Sequence, residues 1–266
     1  MLNGIGIGVP FNKSPGLNGA MVGLFAAGEQ GAWYDPSDFT TMFQDSAGTV
    51  AVTAVEQPVG KILDKSGNGN HATQATSTAR PVLRQDASGH YYLDFDGVDD
   101  FLVTSAIDFT GTDKMSVFAG LYRDNDVVGM LCELSSDVNT NAGSFFHVVG
   151  DALKDYYASS RGTAASSVGQ ASNITFAGPD LAVFTATHDI SGDRTVSRRN
   201  GVSGVAGTTD KGLGAFGNYP IYIGMRAGTS LPFNGRIYSL IARGALSDAA
   251  QIAAAESYVN SKTGAY

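Results

Sequence analysis

Short apolar segments separated by turn residues limit the possible fold more than any other feature of this chain. In segment 181–189 the alternation places Val183 and Phe184 on opposite faces, so both faces are partly apolar, as in a strand inside a sandwich. Asn200 and Gly201 stand between two such segments and predict a type I′ hairpin. The pattern predicts an all-β, two-sheet jelly-roll sandwich. The clearest strand segments are 91–97, 115–122, 144–150, 181–189, 220–227 and 235–244.

One segment, 246–264, has the period of a helix instead. Ile252 and Val259 fall on one face, Ser247 is a suitable N-cap, and Gly264 is suited to end the helix. The sequence therefore predicts one C-terminal α-helix. Because the segment is rich in alanine, which permits close packing, we expect it to lie against a sheet edge or the rim of the sandwich.

Residues 1–29 differ in composition from the remainder of the chain. They are rich in glycine and contain the alternation Ile5, Ile7 and Val9, which predicts an extended arm that docks on its own domain or on a neighbouring subunit. No basic stretch typical of a signal peptide precedes an apolar run, and no run is long enough for a membrane helix. Residues 30–266 suit one β-sandwich domain, with no membrane insertion.

Charge and cysteine content exclude further classes of protein. The formal net charge is −8, and the densest basic run, 194–199, holds three arginines, so we expect no nucleic-acid partner. The single cysteine, Cys132, lies in an apolar run and is predicted to be a buried structural thiol. The histidines have no His, Cys or Glu neighbour at zinc-site spacing. The four histidines are His71, His90, His147 and His188.

The segment DKSGNGNHATQ, residues 64–74, has the composition of a tight and ordered turn. Its glycines accept positive φ, and Asp64 and Ser66 can hydrogen-bond the local backbone. Carboxylate and amide oxygens are also calcium ligands. Oxygen donors such as Asp64 and Asp96 could therefore gather as calcium ligands at one end of the sandwich, provided that the two turns that carry them are neighbours. The other oxygen donors of these turns are Asn68, Asn70, Asp99 and Asp100.

The carboxyl groups do not form a convincing catalytic set. The four glutamates are isolated in sequence, and Asp94 and Asp96 are the nearest approach to the paired acids that a glycosidase needs. No nucleophile-elbow, zinc-protease, Walker or dinucleotide motif is present. We expect a protein that is not an enzyme and needs no cofactor. The alternative is a polysaccharide-degrading enzyme with Asp94, Asp96 and Asp99 as its acids.

Sugar binding commonly uses exposed aromatic faces beside planar polar groups. The sequence contains aromatic candidates by type, but most of them are expected to be packing residues, so it names no carbohydrate-binding residues. These candidates are Trp33, Tyr34, Tyr156, Tyr157 and Tyr219.

Four stretches together resemble the laminin G-like, concanavalin A-like jelly-roll domains of bacteriophage virion proteins, which include tail, fibre and decoration proteins. The resemblance covers roughly residues 31–264. The turn of 64–74, followed about twenty residues later by LDFDGVDD, is its most specific part. The four stretches are AWYDPSDFTTMF, DKSGNGNHATQATSTARPVL, YYLDFDGVDDFLV and FNGRIYSLIARGALSDAAQIAAAESYVNSKTG.

This resemblance implies a role as well as a fold. It implies a virion structural protein that displays a lectin-like sandwich on the particle, for adhesion to host glycans or for decoration of the capsid or tail. The arm would dock on other virion proteins, and the chain would form a homo-oligomer, with a trimer as one option. Assembly would take place in the host cytoplasm. The rim positions that match a calcium or sugar site are Asp64 and Asp96. A free lectin is a further alternative.

Overall fold

The computed structural model describes residues 16–150, 155–163 and 172–266. Within them the chain forms two large antiparallel sheets, which face each other, a two-stranded ribbon, two α-helices and two short 3₁₀ helices, Phe39–Thr41 and Ser77–Ala79. Sheet A contains, in spatial order, β16 (Val202–Ser203), β15 (Arg194–Arg199), β14 (Asp180–Asp189), β9 (Lys114–Arg123), β19 (Asn234–Arg243), β6 (Tyr91–Asp96) and β5 (Val82–Gln85), and β1 (Gly31–Tyr34) also pairs with β19.

Sheet B forms the second layer. The predicted all-β sandwich is confirmed, and short strands from residues 42–73 extend sheet B beyond the segments singled out in the sequence. Sheet B contains β13 (Ser172–Thr175), β12 (Asp155–Arg161), β11 (Ser144–Val149), β10 (Gly129–Leu134), β18 (Ile221–Ile223), β7 (Leu102–Thr104), β4 (Ala72–Thr73), β3 (Lys61–Ile62) and β2 (Met42–Phe43). A separate ribbon pairs β8 (Ile107–Asp108) with β17 (Asn218–Tyr219).

Period-two alternation explains how the central strands pack. In β14, Ala182 and Phe184 face the main core between the sheets, whereas Val183 faces the opposite side, where the helices lie. Both faces of this strand are therefore buried, as the sequence predicted. The predicted hairpin is also present, because Asn200 (φ 48°) and Gly201 (φ 76°) join β15 to β16 with the positive φ angles of a type I′ turn.

The C-terminal helix, α2 (Ala249–Thr263), lies across the outer face of sheet A over β9, β14 and β19. The expectation that it covers a sheet edge is therefore wrong. Gly120 of β9 is one reason, because a side chain there would collide with the helix. The N-cap is Asp248, whose carboxylate accepts from Gln251 N–H at 2.8 Å, and Ser247 instead donates its N–H to Ser116 Oγ at 2.8 Å.

Substituting Gly120 tests this close approach. A Cβ at position 120 would lie 2.3 Å from Thr263 Cγ2 and 3.0 Å from Val259 Cγ1, both in α2. We expect Gly120→Ala to lower the free energy of unfolding by about 1–3 kcal/mol, as overpacking does. Urea unfolding measures the loss. In the control Gly111→Ala a Cβ meets nothing within 4 Å, so we expect a change of at most about 0.5 kcal/mol. Equal losses in the two variants would contradict the packing explanation.

The second half of the predicted arm is helical. Residues Leu17–Gly23 form a short helix, α1, which contacts α2. Met21 within this helix and Leu24 and Phe25 directly after it are buried. The extended form predicted for this segment is therefore wrong, because its apolar residues have a helical spacing and are buried against the chain's own domain. The docking residues Ile5, Ile7 and Val9 lie outside the described residues. No helix in the described part of the chain is long and apolar enough to cross a membrane.

A chain of polar side chains crosses the main core. Cys132 Sγ lies 3.3 Å from His147 Nδ1, His147 Nε2 lies 2.8 Å from His188 Nε2, and His188 Nδ1 lies 3.4 Å from Thr195 Oγ1. The two histidines are fully buried, and Cys132 is 1 % exposed. The prediction that Cys132 is a buried thiol is confirmed, and burial raises the pKa of that thiol far above its ordinary value.

Candidate functional site

The turn of residues 64–74 binds its own chain. Asp64 Oδ1 accepts from the N–H groups of Trp33 and Ser66, both at 2.8 Å, and Asp64 Oδ2 accepts from Ser66 Oγ at 2.7 Å and Asn70 N–H at 3.0 Å. The Asn70 amide also donates to Gly31 O at 2.8 Å. Asp64 therefore uses both carboxylate oxygens to hold the turn against the beginning of β1.

The structure does not bring Asp64 and Asp96 together. Asp64 is bonded to Trp33, which pairs with Ile241 in β19, whereas Asp96 pairs with Asn234 at the other end of the same strand. Seven residues of extended strand separate the two positions by roughly 23 Å. The two turns are therefore not neighbours, and Asp64 and Asp96 cannot share one ion.

Asp96 lies instead in a cluster with Asp99 and Asp100. One carboxylate oxygen from each lies within 4.8 Å of the others, which is a spacing that a hard cation such as calcium accepts. Asp100 is 7 % exposed, and its Oδ2 accepts the N–H of Asp96 at 3.1 Å. Burial, together with the neighbouring carboxylates, raises the pKa of Asp100 to about 6. Calcium at this turn stays a prediction.

The outer face of sheet B has a different character. Since α1 and α2 cover sheet A, this face carries no helix in the described part of the chain. Glu133 of β10 stands directly between Phe146 of β11 and Tyr222 of β18, and Ser159 continues the row beyond Phe146. The strand register thus places aromatic and polar side chains side by side across the middle of the sheet.

Two aromatic rings and one arginine form the centre of this face. The rings of Phe146 and Tyr157 are stacked, with centroids 5.6 Å apart and planes inclined by 25°. The guanidinium carbon of Arg226 lies 5.8 Å from the Phe146 ring centroid on the same face. We call Phe146, Tyr157, Tyr222, Arg226 and Glu133 the aromatic platform.

Glu133 fixes the position of Arg226 within the platform. Its side chain is fully buried, its Oε2 accepts from Arg226 Nε at 2.7 Å, and its Oε1 accepts from Val138 N–H at 2.6 Å. Burial raises the pKa of Glu133, and the adjacent Arg226 opposes that rise. Because both carboxylate oxygens have partners, Glu133 orients Arg226 and holds the loop that contains Val138.

Only one of the aromatic candidates chosen by type belongs to the platform. Tyr157 lies there, whereas Trp33, Tyr34 and Tyr156 are 2 %, 4 % and 0 % exposed and serve as packing residues. Tyr219 is partly buried against the main core. Sequence reasoning missed the other four platform residues. The alternation in segment 144–150, which opposes Phe146 to the buried Phe145, was the available signal.

Asp94 and Asp96 alternate with buried Leu93 and Phe95, as the sequence suggested. Asp94 Oδ2 lies 2.7 Å from Arg84 Nε, so it is paired with a cation. Burial raises the pKa of Asp94, and Arg84 opposes that rise.

Comparisons with known proteins identify the fold but no sequence family. No family model matches the chain, and no curated protein matches it. Many solved structures match it, at low sequence identity. Such likenesses show the fold alone.

Three of these structures illustrate the kinds of protein that share the fold. Domain 4 of AbnA, a GH43 extracellular arabinanase from Geobacillus stearothermophilus in complex with arabinotriose, has a TM-score of 0.55 and 12% identity, with 86% of this chain and 98% of that chain covered. An arabinofuranosidase complexed with arabinofuranosyl-alpha-1,2-xylobiose has a TM-score of 0.64 and 11% identity, with 91% and 65% covered. Botulinum neurotoxin type C, described as dependent on two ganglioside molecules for cell entry, has a TM-score of 0.54 and 12% identity, with 76% and 49% covered. The chain is therefore a two-sheet jelly-roll-like β-sandwich that spans about half of the toxin chain and two thirds of the arabinofuranosidase chain.

Proposed function

We propose that this protein is a carbohydrate-binding β-sandwich that binds saccharides on the outer face of sheet B and is not an enzyme. The aromatic platform is the observation that carries the proposal. A sugar ring has an apolar face that stacks on aromatic rings, and its hydroxyl groups require planar polar partners nearby. Phe146 and Tyr157 supply the rings, and Arg226, held by Glu133, supplies donors of fixed orientation.

The structural neighbours support the same class of ligand. The arabinanase domain and the arabinofuranosidase are described in complex with oligosaccharides, and the neurotoxin is described as interacting with gangliosides. A shared fold does not carry binding by itself, so the platform residues must provide the test.

The pairing of two acidic side chains with arginines supports a role other than catalysis for those two residues. Asp94 is paired with Arg84, and Glu133 is paired with Arg226. A glycosidase needs one carboxyl group as an acid and a second as a base or nucleophile, both free to contact the sugar. Carboxylates held by arginines suit a structural or binding role better.

The wider setting that we propose is a phage particle. The sequence stretches that resemble virion jelly rolls support it. On this proposal the sandwich is an adhesion or decoration domain of a homo-oligomer on the virion surface. Cryo-electron microscopy of the particle tests it: we expect sheet B to face outward, and absence of the chain from the particle would overturn it.

Binding to immobilised glycans, including arabinotriose and ganglioside oligosaccharides, tests the ligand class. We expect Tyr157→Ala to weaken binding of the best glycan about tenfold or more, because it removes a stacking face, whereas Tyr157→Phe retains most of the affinity. Tyr122→Ala is the matched control, since Tyr122 stacks on Arg236 in sheet A. Unchanged glycan binding in Tyr157→Ala would contradict the proposal, and so would a parent protein that binds none of the glycans.

A further inference from the structure

Arg161 is a buried arginine for which the described part of the chain supplies no counter-charge. It is 5 % exposed, and within residues 16–150, 155–163 and 172–266 it forms no ion pair, while its Nε has no hydrogen-bond partner. The other deeply buried arginines are paired: Arg123 lies 2.8 Å from Asp126, and Arg243 lies 2.6 Å from Glu29. Arg161 therefore differs from the two other deeply buried arginines of the described residues.

A lone buried guanidinium is costly. Burying a charge without a counter-charge is strongly unfavourable, and most buried groups escape the cost by changing their protonation state. Arginine cannot do so, because its pKa is too high for it to lose the proton inside a protein. An anion from outside the chain would relieve the cost at Arg161.

The register of β11 and β12 places Arg161 beside the aromatic platform. Arg161 pairs with Ser144, and Ser159 pairs with Phe146, so Arg161 and Phe146 are diagonal neighbours. Such neighbours are roughly 7–8 Å apart, within reach of a long side chain. Strand alternation puts Arg161 on the same outer face as Tyr157.

We propose that Arg161 binds the carboxylate of an acidic saccharide whose ring stacks on the aromatic platform. This inference rests on the proposed function and adds the chemical class of the ligand. The planar fork of a guanidinium matches a carboxylate with two parallel hydrogen bonds. Arg226 is less suited to this role, because its charge is already shared between Glu133, 2.7 Å from its Nε, and Asp137, 3.7 Å from its Nη1.

Paired glycans test the inference. The probes are trigalacturonic acid and 3′-sialyllactose, each beside its methyl ester, together with a sulfated and a phosphorylated sugar. We expect at least one free acid to bind about 10- to 100-fold more tightly than its ester, which is the size of a charge-assisted hydrogen bond. In Arg161→Met the preference disappears while binding of the ester persists. Arg161→Lys, which keeps the charge but not the fork, retains only part of the preference.

The outcomes separate the two proposals. Equal binding of acid and ester, a preference that survives in Arg161→Met, or tighter binding of the sulfated or phosphorylated sugar overturns the carboxylate assignment, while the loss of ester binding in Tyr157→Ala still supports the platform. If Tyr157→Ala affects no probe, the platform itself is wrong. Circular dichroism and thermal unfolding confirm that each variant is folded, and we expect Arg161→Met to be at least as stable as the parent protein because it removes an unpaired buried charge.

Discussion

Replacing Arg226 with alanine is expected to lower the free energy of unfolding by about 3–5 kcal/mol at neutral pH, because it leaves a buried carboxylate without its cation. Glu133 is fully buried and lies 2.7 Å from Arg226 Nε. Its remaining hydrogen bond, from Val138 N–H, cannot neutralise the charge. The loss should shrink at lower pH, since the raised pKa of Glu133 allows the isolated group to take up a proton.

Urea unfolding at pH 7.5 and pH 5 measures both effects. The matched control is Glu56→Gln, which removes the 62 % exposed partner of Arg84 and leaves Arg84 paired with Asp94. Exposed pairs contribute about 0–1 kcal/mol, so we expect a small loss there at both pH values. If Arg226→Ala lowers the free energy of unfolding no more than the control does, the ion pair between Glu133 and Arg226 does not stabilise the platform. The double variant Glu133→Gln with Arg226→Met should recover most of the stability.

Acid should unfold the protein through its buried histidine pair. Burial lowers the pKa of His147 to about 3, and burial together with His147 and Lys211 lowers the pKa of His188 well below its ordinary value. A group whose folded-state pKa is depressed contributes stability above its ordinary pKa, near 6.5, and that stability is lost as the pH falls. Each histidine contributes a slope of about 1.4 kcal/mol per pH unit, so the pair should lose about 4–5 kcal/mol between pH 6.5 and pH 4.5.

The free energy of unfolding, measured at half-unit steps of pH, tests this prediction. His188→Asn removes one titrating group and should reduce the slope by about 1.4 kcal/mol per pH unit. Thr195→Val is the control, because it removes the hydroxyl 3.4 Å from His188 Nδ1 without removing a titrating group. An unchanged slope in His188→Asn would show that the acid sensitivity comes from carboxylates elsewhere in the chain.

Local pattern was enough to predict most of the main strands. Segments 115–122 and 181–189 lie within β9 and β14. Each has apolar residues on both faces of the strand, and their burial stabilises a strand that is covered on both sides. The short strands between residues 42 and 73 have two residues each and leave no periodic trace. Segment 220–227 shortens to β18 because Gly224 (φ 86°) turns the chain away from the sheet.

The binding residues could be predicted only in part. Tyr157 was a candidate by residue type, but nothing in the sequence distinguishes it from Tyr156, which is fully buried one position earlier. Arg226 and Glu133 are 93 residues apart in the sequence. They become partners because β18, which ends shortly before Arg226, pairs with β10, which contains Glu133. A long-range pair of this kind has no local sequence signal.

The sequence by itself determined the class of fold, the position of the hairpin at Asn200 and Gly201, and the existence of the C-terminal helix, because period, turn chemistry and capping act over a few residues. Only the tertiary structure decided which sheet face the helix covers, that Asp64 and Asp96 lie at opposite ends of β19, and that Arg161 stands beside Phe146. These outcomes depend on strand order and register, which join residues far apart in the chain.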